Sequence, residues 1–472
     1  MSQILHYFKE VCSIPHPSFH EEKLADYVVS FAKEHSLWYS RDEHHNVLIK
    51  KPGQNRGIHC DPILLQGHLD MVAEKISGSD FDFHKDALKL IEKDGWISAK
   101  DTTLGSDDGF AIAYMLGLLN DMTIDHPPLE CLFTTKEEVG LIGAIHFDMK
   151  DIESKRCIGL DSSGENRTII TSSGGVRGKF SLKRRKKVFY PASIIIKITN
   201  ATGGHSGNDI TKNRVNVLTL LAQFAKDLKV DIGLSSWVGG NSENAIPTWG
   251  TLILGLYEKS DELMHRAKDL ALKIQDYSRH SDPAMKIDIE FGREVAGCPK
   301  EETHEIIESV LFFPQGVAKM SDEIEGLPLL SANIGFIRHD EYWTIGFSVR
   351  SPMDVLMEHH MVKIETLAKR MRMDVEFFSR YPGFPYQPES TLRNQFETFY
   401  QSFRNQNLNF EATHGGCELG IWKGKIPQLD IISMGPINEG IHTPQERMDL
   451  ASFERVYENL VGFLAYLCHE AN

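Results

Sequence analysis

The chain has 472 residues, 41% of them hydrophobic and 25% charged, and carries a net charge of −15. That length exceeds what one hydrophobic core usually serves and points to two domains, and the composition is that of a globular protein. The acidic balance argues against a sequence-independent nucleic-acid binder, which needs a basic face, and against anchoring on an anionic membrane.

In chain order, Ile4, Leu5, Phe8 and Val11 have helical spacing, and Pro15 ends that helix. The same segment lacks a basic region followed by an apolar one, so it does not read as a signal peptide. No apolar run reaches the ~18 residues of a membrane span. From residue 45 to 172, apolar runs of strand length (NVLIK, PILLQ, LECLFTT, RCIGL) alternate with helix-like stretches. This pattern predicts an α/β unit with a largely parallel sheet. Within it DDGFAIAYMLGLLND reads as a helix opened by capping carboxylates.

Between 177 and 381 strand-like runs (SIIIKIT, GTLILGLY, MKIDIEF, LLSANIGFIR, YWTIGFSVRS, MDVEFFSRY) mix with two amphipathic stretches, NRVNVLTLLAQFAKDL and DELMHRAKDLALKIQDYS. That is an α+β texture. The basic run KRRKK at 183–187 lies between two strand-like segments and reads as an exposed hairpin turn. After the proline-rich YPGFPYQPES come a helix, a strand LDIISMG and a last amphipathic helix, SFERVYENLVGFLAYL. The expected fold class is α/β. Residues 1–176 and 382–472 form a domain with a mostly parallel mixed sheet flanked by helices, and residues 177–381 form an inserted α+β domain. Seven scattered cysteines with no C-x-x-C pair fit reduced thiols in a cytoplasm.

Several apolar runs finish on groups that can hold a cation. PILLQGHLD ends on His68 and Asp70, CLFTTKEE on Glu137 and Glu138, and RCIGLD on Asp161. LGSDDG sets Asp107 and Asp108 at a helix start, and His442 follows the strand LDIISMG. Taken singly, these are strand-end, capping and loop residues. Parallel strands direct their carboxyl ends to one crevice, where so many acidic groups would repel each other without a cation. Mixed carboxylate and imidazole donors suit zinc, manganese or cobalt, and a shared carboxylate makes a two-metal site that activates a water.

The segments GHLDMV, LGSDDGFAIA, TTKEEVGLIGA, GLDSSG, GGHSG and IHTPQERM occur in the order seen in the co-catalytic zinc exopeptidases, which this chain resembles along almost its whole length. NATGGHSGNDI, GGNSENAIP, SVRSPMD and THGGCELGIW most resemble the branch that cleaves aminoacyl-histidine dipeptides. The resemblance implies two divalent ions, zinc first among them. His68, Asp107 and Asp161 would hold one; Asp107, Glu138 and His442 would hold the other. Glu137 would be the general base, and Asp70 would accept from the His68 ring. Many members carry a lysine after the paired aspartates where this chain has Gly109. This does not touch the ligand set.

The resemblance also implies that the inserted domain is a lid and a homodimer interface. His205 would stabilise the oxyanion, Asn244 and Arg350 would bind the substrate's polar groups and carboxylate, and Gly416 would lie in a substrate loop. Cys417 beside it reads as a packing residue, since a metal-activated water already supplies the nucleophile. The activity so implied is hydrolysis of unblocked dipeptides, Xaa-His and β-alanyl-histidine among them. A tripeptidase, an N-acyl-amino-acid deacylase and a non-catalytic binding protein are the alternatives.

Overall fold

The computed structural model describes residues 2–183 and 187–470. The middle of the basic run at 183–187, read above as a hairpin turn, lies outside the described residues. The chain divides into two compact units.

The first unit comprises Met1–Ser172, Phe384–Ala412 and Cys417–Asn472. Its main sheet has six strands, in the order Trp38–Arg41, Val47–Lys51, Leu129–Thr134, Ile63–His68, Arg156–Gly159, Asp430–Ser433. The last four are mutually parallel, and the first two are antiparallel additions at one edge. Ile63–His68 and Leu129–Thr134 are buried at every position. Parallel strands are covered on both faces and so read as continuous apolar runs.

The covering helices include Gln3–Ser13, whose N-cap Ser2 accepts from the Leu5 amide, and the C-terminal Leu450–Glu470. Phe8, Val11, Leu24, Val28, Phe453, Leu460 and Phe463 pack with the sheet's Ile63, Leu65 and Phe133 into one core. Helix Ser106–Asn120 is buried from Phe110 to Leu119, which is why it has no polar stripe. A smaller sheet pairs Asn438–Glu439 with Arg447–Asp449, and the latter with Trp96–Ala99. It holds the loop 440–446 at both ends.

One local reading changes. Asp107 and Asp108 do not cap the helix they open. Their backbone is non-helical, at φ −86°, ψ 101° and φ −119°, ψ 35°. Their carboxylates have other partners, described below.

The second unit comprises Ser173–Gly383 and Thr413–Gly416. Its nine-stranded sheet is antiparallel throughout and includes Gly174–Lys183, Ala192–Thr199, Gly250–Leu256, Ile232–Gly240, Pro328–His339 and Tyr342–Ser351. Among its described residues are four α-helices: Val217–Asp227, Asp261–Ser278, Lys300–Leu311 and Asp354–Arg370. The sequence marked only the first two. In Asp354–Arg370 the buried stripe is Met357, His360, Ile364 and Ala368, so a histidine and a small residue thin the apolar period.

Candidate active site

The carboxyl ends of Ile63–His68, Leu129–Thr134 and Arg156–Gly159 fall at one edge because the strands are parallel and in register. His68 ends the first, Glu137 and Glu138 follow the second, and Asp161 follows the third. The turn before helix Ser106–Asn120 brings Asp107 and Asp108 to the same edge. Gly67 permits this approach: a Cβ there would meet Asp108 Oδ2 at 2.6 Å and Ala111 Cβ at 2.4 Å. Asp108 Oδ2 accepts from the His68 amide at 2.9 Å, so Asp108 fixes the strand end.

Asp107 meets two imidazoles with two different oxygens. Its Oδ1 is 3.0 Å from His68 Nε2, and its Oδ2 is 3.3 Å from His442 Nε2. His442 Nε2 is also 2.8 Å from Glu138 Oε1, an atom that is buried and makes no hydrogen bond of acceptable geometry. Donor atoms of His68, Asp107 and Glu138 lie within 4.8 Å of one another. His442 is half-exposed and sits at φ 64° in the 440–446 loop.

Charge balance sets this cluster apart from a structural ion-pair network. Burial pushes the Asp161 carboxyl up to about 7, and the nearby Asp107 charge adds to the effect. Burial likewise raises Glu137 well above the usual carboxylate range, with Asp161 and Glu138 contributing and His68 opposing. Burial works against ionised Asp107 too, but the His442 and His68 rings hold its carboxyl well below the usual range. Asp107 and Glu138 push His442 up to about 11. Four carboxylates thus compete for two imidazoles as their source of positive charge. The donor set and this excess of negative charge both fit divalent cations.

Further carboxylates hold the frame. The Asp70 carboxylate accepts from the amides of Glu137 at 2.9 Å and Glu138 at 3.3 Å, and from Ser18 Oγ at 2.7 Å. Glu21 accepts from the Lys136 amide at 3.0 Å, so three successive amides of the KEE segment end on buried carboxylates. The acceptor at His68 Nδ1 differs from expectation. It is the Asp70 carbonyl, at 2.9 Å, while the Asp70 carboxylate lies 3.7 Å away. The ring tautomer is still fixed, by main chain instead of side chain.

In the second unit, His205 pairs with Ala245 across two short strands, which sets it next to Asn244 in sequence register. The Asn244 carbonyl accepts from the Ser206 amide at 2.8 Å. Arg350 is 7% exposed, and its guanidinium donates to Tyr381 Oη at 3.1 Å and Ser206 Oγ at 3.3 Å and lies 3.1 Å from His205 Nε2. Among the described residues no carboxylate forms an ion pair with it. Burial, then the Arg350 charge, pushes His205 down to about 4, so its ring is neutral. A Cβ at Gly416 would meet Tyr381 Oη at 2.5 Å, so a side chain there would crowd the same pocket. His414 lies between Ser173 Oγ and Ser331 Oγ, each at 2.7 Å, and ties the 413–416 loop down.

Residues 64–466 match the sequence profile of Peptidase family M20/M25/M40. The chain belongs to that family. It is therefore a metallopeptidase, a hydrolase of peptide bonds. Over 469 residues it is 31% identical to the cytosol non-specific dipeptidase of Escherichia coli K12, covering 97% of this chain and 96% of the relative. Its fold superposes on the aminoacylhistidine dipeptidase of Vibrio alginolyticus with a TM-score of 0.87 at 28% identity, covering 98% and 96% of the two chains. The aminopeptidase PepT of Bacillus cereus shares the fold at a TM-score of 0.57 and 16% identity, covering 98% of each chain.

This M20 peptidase holds framing residues that sequence reasoning passed over: Ser18, Glu21, Glu418 and Glu446. Glu418 and Glu446 lie within HGGCELG and IHTPQERM, beside the more conspicuous glycine, cysteine and histidine. Cys417, next to Glu418, is 3.1 Å from Ser172 Oγ, and burial pushes its thiol up to about 12, as a packing residue requires.

Glu418 is 1% exposed; its Oε2 accepts from Thr134 Oγ1 at 2.7 Å and from Gln66 Nε2, and Oε1 has no partner. Burial pushes its carboxyl up to about 8 from 4.5. A raised carboxyl gives stability that is complete below the unfolded value and lost as pH climbs through the folded one. Glu418→Gln puts an amide nitrogen at the unpartnered position and removes the titration. Thermal unfolding of the metal-free protein should therefore weaken less between pH 4.5 and 8 in this variant than in the wild type. Parallel Tm curves would refute the assignment.

Proposed function

We propose that this M20 peptidase is a two-metal dipeptidase, with Xaa-His peptides, β-alanyl-histidine included, among its substrates. The observation that carries the reading is the single carboxylate, Asp107, set between His68 and His442 with Glu138 alongside. His68, Asp107 and Asp161 would hold one cation, and Asp107, Glu138 and His442 the other. Two such cations, zinc first among those the donors suit, would supply polarisation of the scissile carbonyl and acidification of a water.

The chain's own groups supply the rest. Glu137 takes the proton from the attacking water and delivers it to the departing amine. Burial raises its proton affinity, as a base working near neutrality needs. Asp70 anchors the amides of Glu137 and Glu138, and its carbonyl keeps the His68 Nε2 turned to the cluster. In the second unit, Arg350 takes the substrate carboxylate through its planar fork. That guanidinium is buried among neutral partners, which suits an anion that arrives from outside. Asn244 and Gly416 bind the peptide's polar groups, and His205 stabilises the oxyanion. This unit serves as a lid and as the homodimer interface.

Broad dipeptide specificity is a second reading, favoured by the printed name of the E. coli relative. That name also supports action in the cytosol. Among the described residues no helix is long and apolar enough to cross a membrane.

The deciding experiment follows amino-acid release from β-alanyl-histidine, other dipeptides, tripeptides and N-acyl amino acids, before and after chelation and with zinc or manganese restored. Dipeptide cleavage that vanishes with chelator and returns with metal is expected. Metal-dependent cleavage of tripeptides or acyl substrates alone would overturn the dipeptidase reading. Activity untouched by chelation would overturn the metal centre.

A further inference from the structure

Glu446 is 2% exposed, and none of the steps above uses it. Its Oε2 accepts from the amides of Leu104 at 2.8 Å and Gly105 at 3.1 Å. Its Oε1 accepts from the Ser106 amide at 2.8 Å, Ser106 Oγ at 2.6 Å and the Asp107 amide at 3.4 Å. Four consecutive amides, those of residues 104–107, thus converge on one carboxylate. Gly105 makes this possible with its left-handed φ of 67°. Successive amides turned inward in this way form a concavity suited to an anion, and the chain fills it with its own carboxylate.

A helix cap explains less of this. A capping side chain sits beside its helix in sequence and satisfies one or two amides. Glu446 comes from 340 residues further along and saturates both oxygens. Its other attachment is to the loop of His442. The Glu446 amide donates to the Thr443 carbonyl at 3.0 Å, and Thr443 Oγ1 donates to the Gly440 carbonyl at 2.6 Å. The strands flanking this loop, Asn438–Glu439 and Arg447–Asp449, are paired. One buried carboxylate therefore ties the turn that presents Asp107 to the loop that presents His442, and those two side chains meet at 3.3 Å.

We propose that Glu446 is a positioning residue that sets the separation of Asp107 and His442 and thereby tunes the cation affinity of the site they share. The proposal rests on the two-metal reading.

Glu446→Gln keeps the side-chain volume and leaves one acceptor oxygen for donors that now use two. Zinc affinity, read by competition with a chromogenic chelator, is expected to fall by about 10- to 100-fold, the range for residues that orient ligands. kcat for a dipeptide at fixed zinc should fall in step while KM stays close to the wild type, a split that general loosening of the fold would not give. Hydrogen exchange on the metal-free wild type supplies a second readout, independent of any variant's folding. The amides of 104–107 should exchange far more slowly than those of the 440–445 loop.

A folded Glu446→Gln with unchanged zinc affinity and kcat overturns the proposal, as does rapid exchange at 104–107. A wild type that binds no zinc overturns the two-metal reading, and this proposal with it. A zinc-binding wild type beside an unaltered variant overturns this proposal alone.

Discussion

Asp107→Asn is expected to abolish turnover and metal binding together. The side chain keeps its shape, but one oxygen becomes an NH2 group. Either way round, that NH2 faces an imidazole nitrogen now 3.0 or 3.3 Å from a carboxylate oxygen, so one histidine loses its anionic neighbour. A donor also points into the space proposed for a cation. Charge stabilisation by such a centre is worth several kcal/mol, and each 1.36 kcal/mol is tenfold in rate. Loss of about 10³-fold or more in kcat is therefore expected. Elemental analysis should find fewer than two zinc ions per chain. Added zinc should raise the Tm of the wild type, because the folded state binds it best, and should leave the variant's Tm nearly fixed. A variant that keeps two ions and a wild-type rate would remove Asp107 from the centre.

Glu137→Gln separates chemistry from metal binding. The turn that carries the two adjacent glutamates gives them different neighbours. Glu138 Oε1 is 2.8 Å from His442, whereas among the described residues Glu137 forms no ion pair with either histidine and is tethered through its main chain to Asp70. That tether survives the substitution, since it uses the amide of residue 137. The variant should retain its zinc and its KM, with kcat reduced by about 10²–10⁴-fold, the usual contribution of a positioned base. Glu138→Gln should instead lose zinc. Metal analysis beside steady-state kinetics distinguishes the two. A zinc-depleted Glu137→Gln would mean that the roles within the pair are reversed.

The sheet of the first unit was legible because parallel strands are buried on both faces, and runs such as ILLQGH and LECLFT record that burial directly. His68, Asp107, Glu138 and His442 could be nominated because a side chain that meets a cation must be one of a few residue types. The framing carboxylates could not. Glu21, Asp70 and Glu446 hold main-chain amides, and an amide is the same in every residue, so the partner leaves no mark in the sequence. The exchange of carboxylate for carbonyl at His68 Nδ1 has the same origin: both atoms belong to Asp70, and only the turn geometry decides which arrives. Helix Asp354–Arg370 escaped notice for a different reason, the polar His360 within its buried stripe.

The placement of His442 and Glu446 after every other member of the cluster has a consequence for synthesis. Chains are made from the N-terminus, and early segments begin to fold before later ones exist. The acidic groups at 70, 107, 108, 137, 138 and 161 emerge first, with His68 as their only imidazole neighbour from the cluster. The amides of 104–107 have no carboxylate to receive them until residue 446 has left the ribosome. A nascent chain therefore holds an incomplete, self-repelling cluster, which gains its second imidazole only once residue 442 has been made.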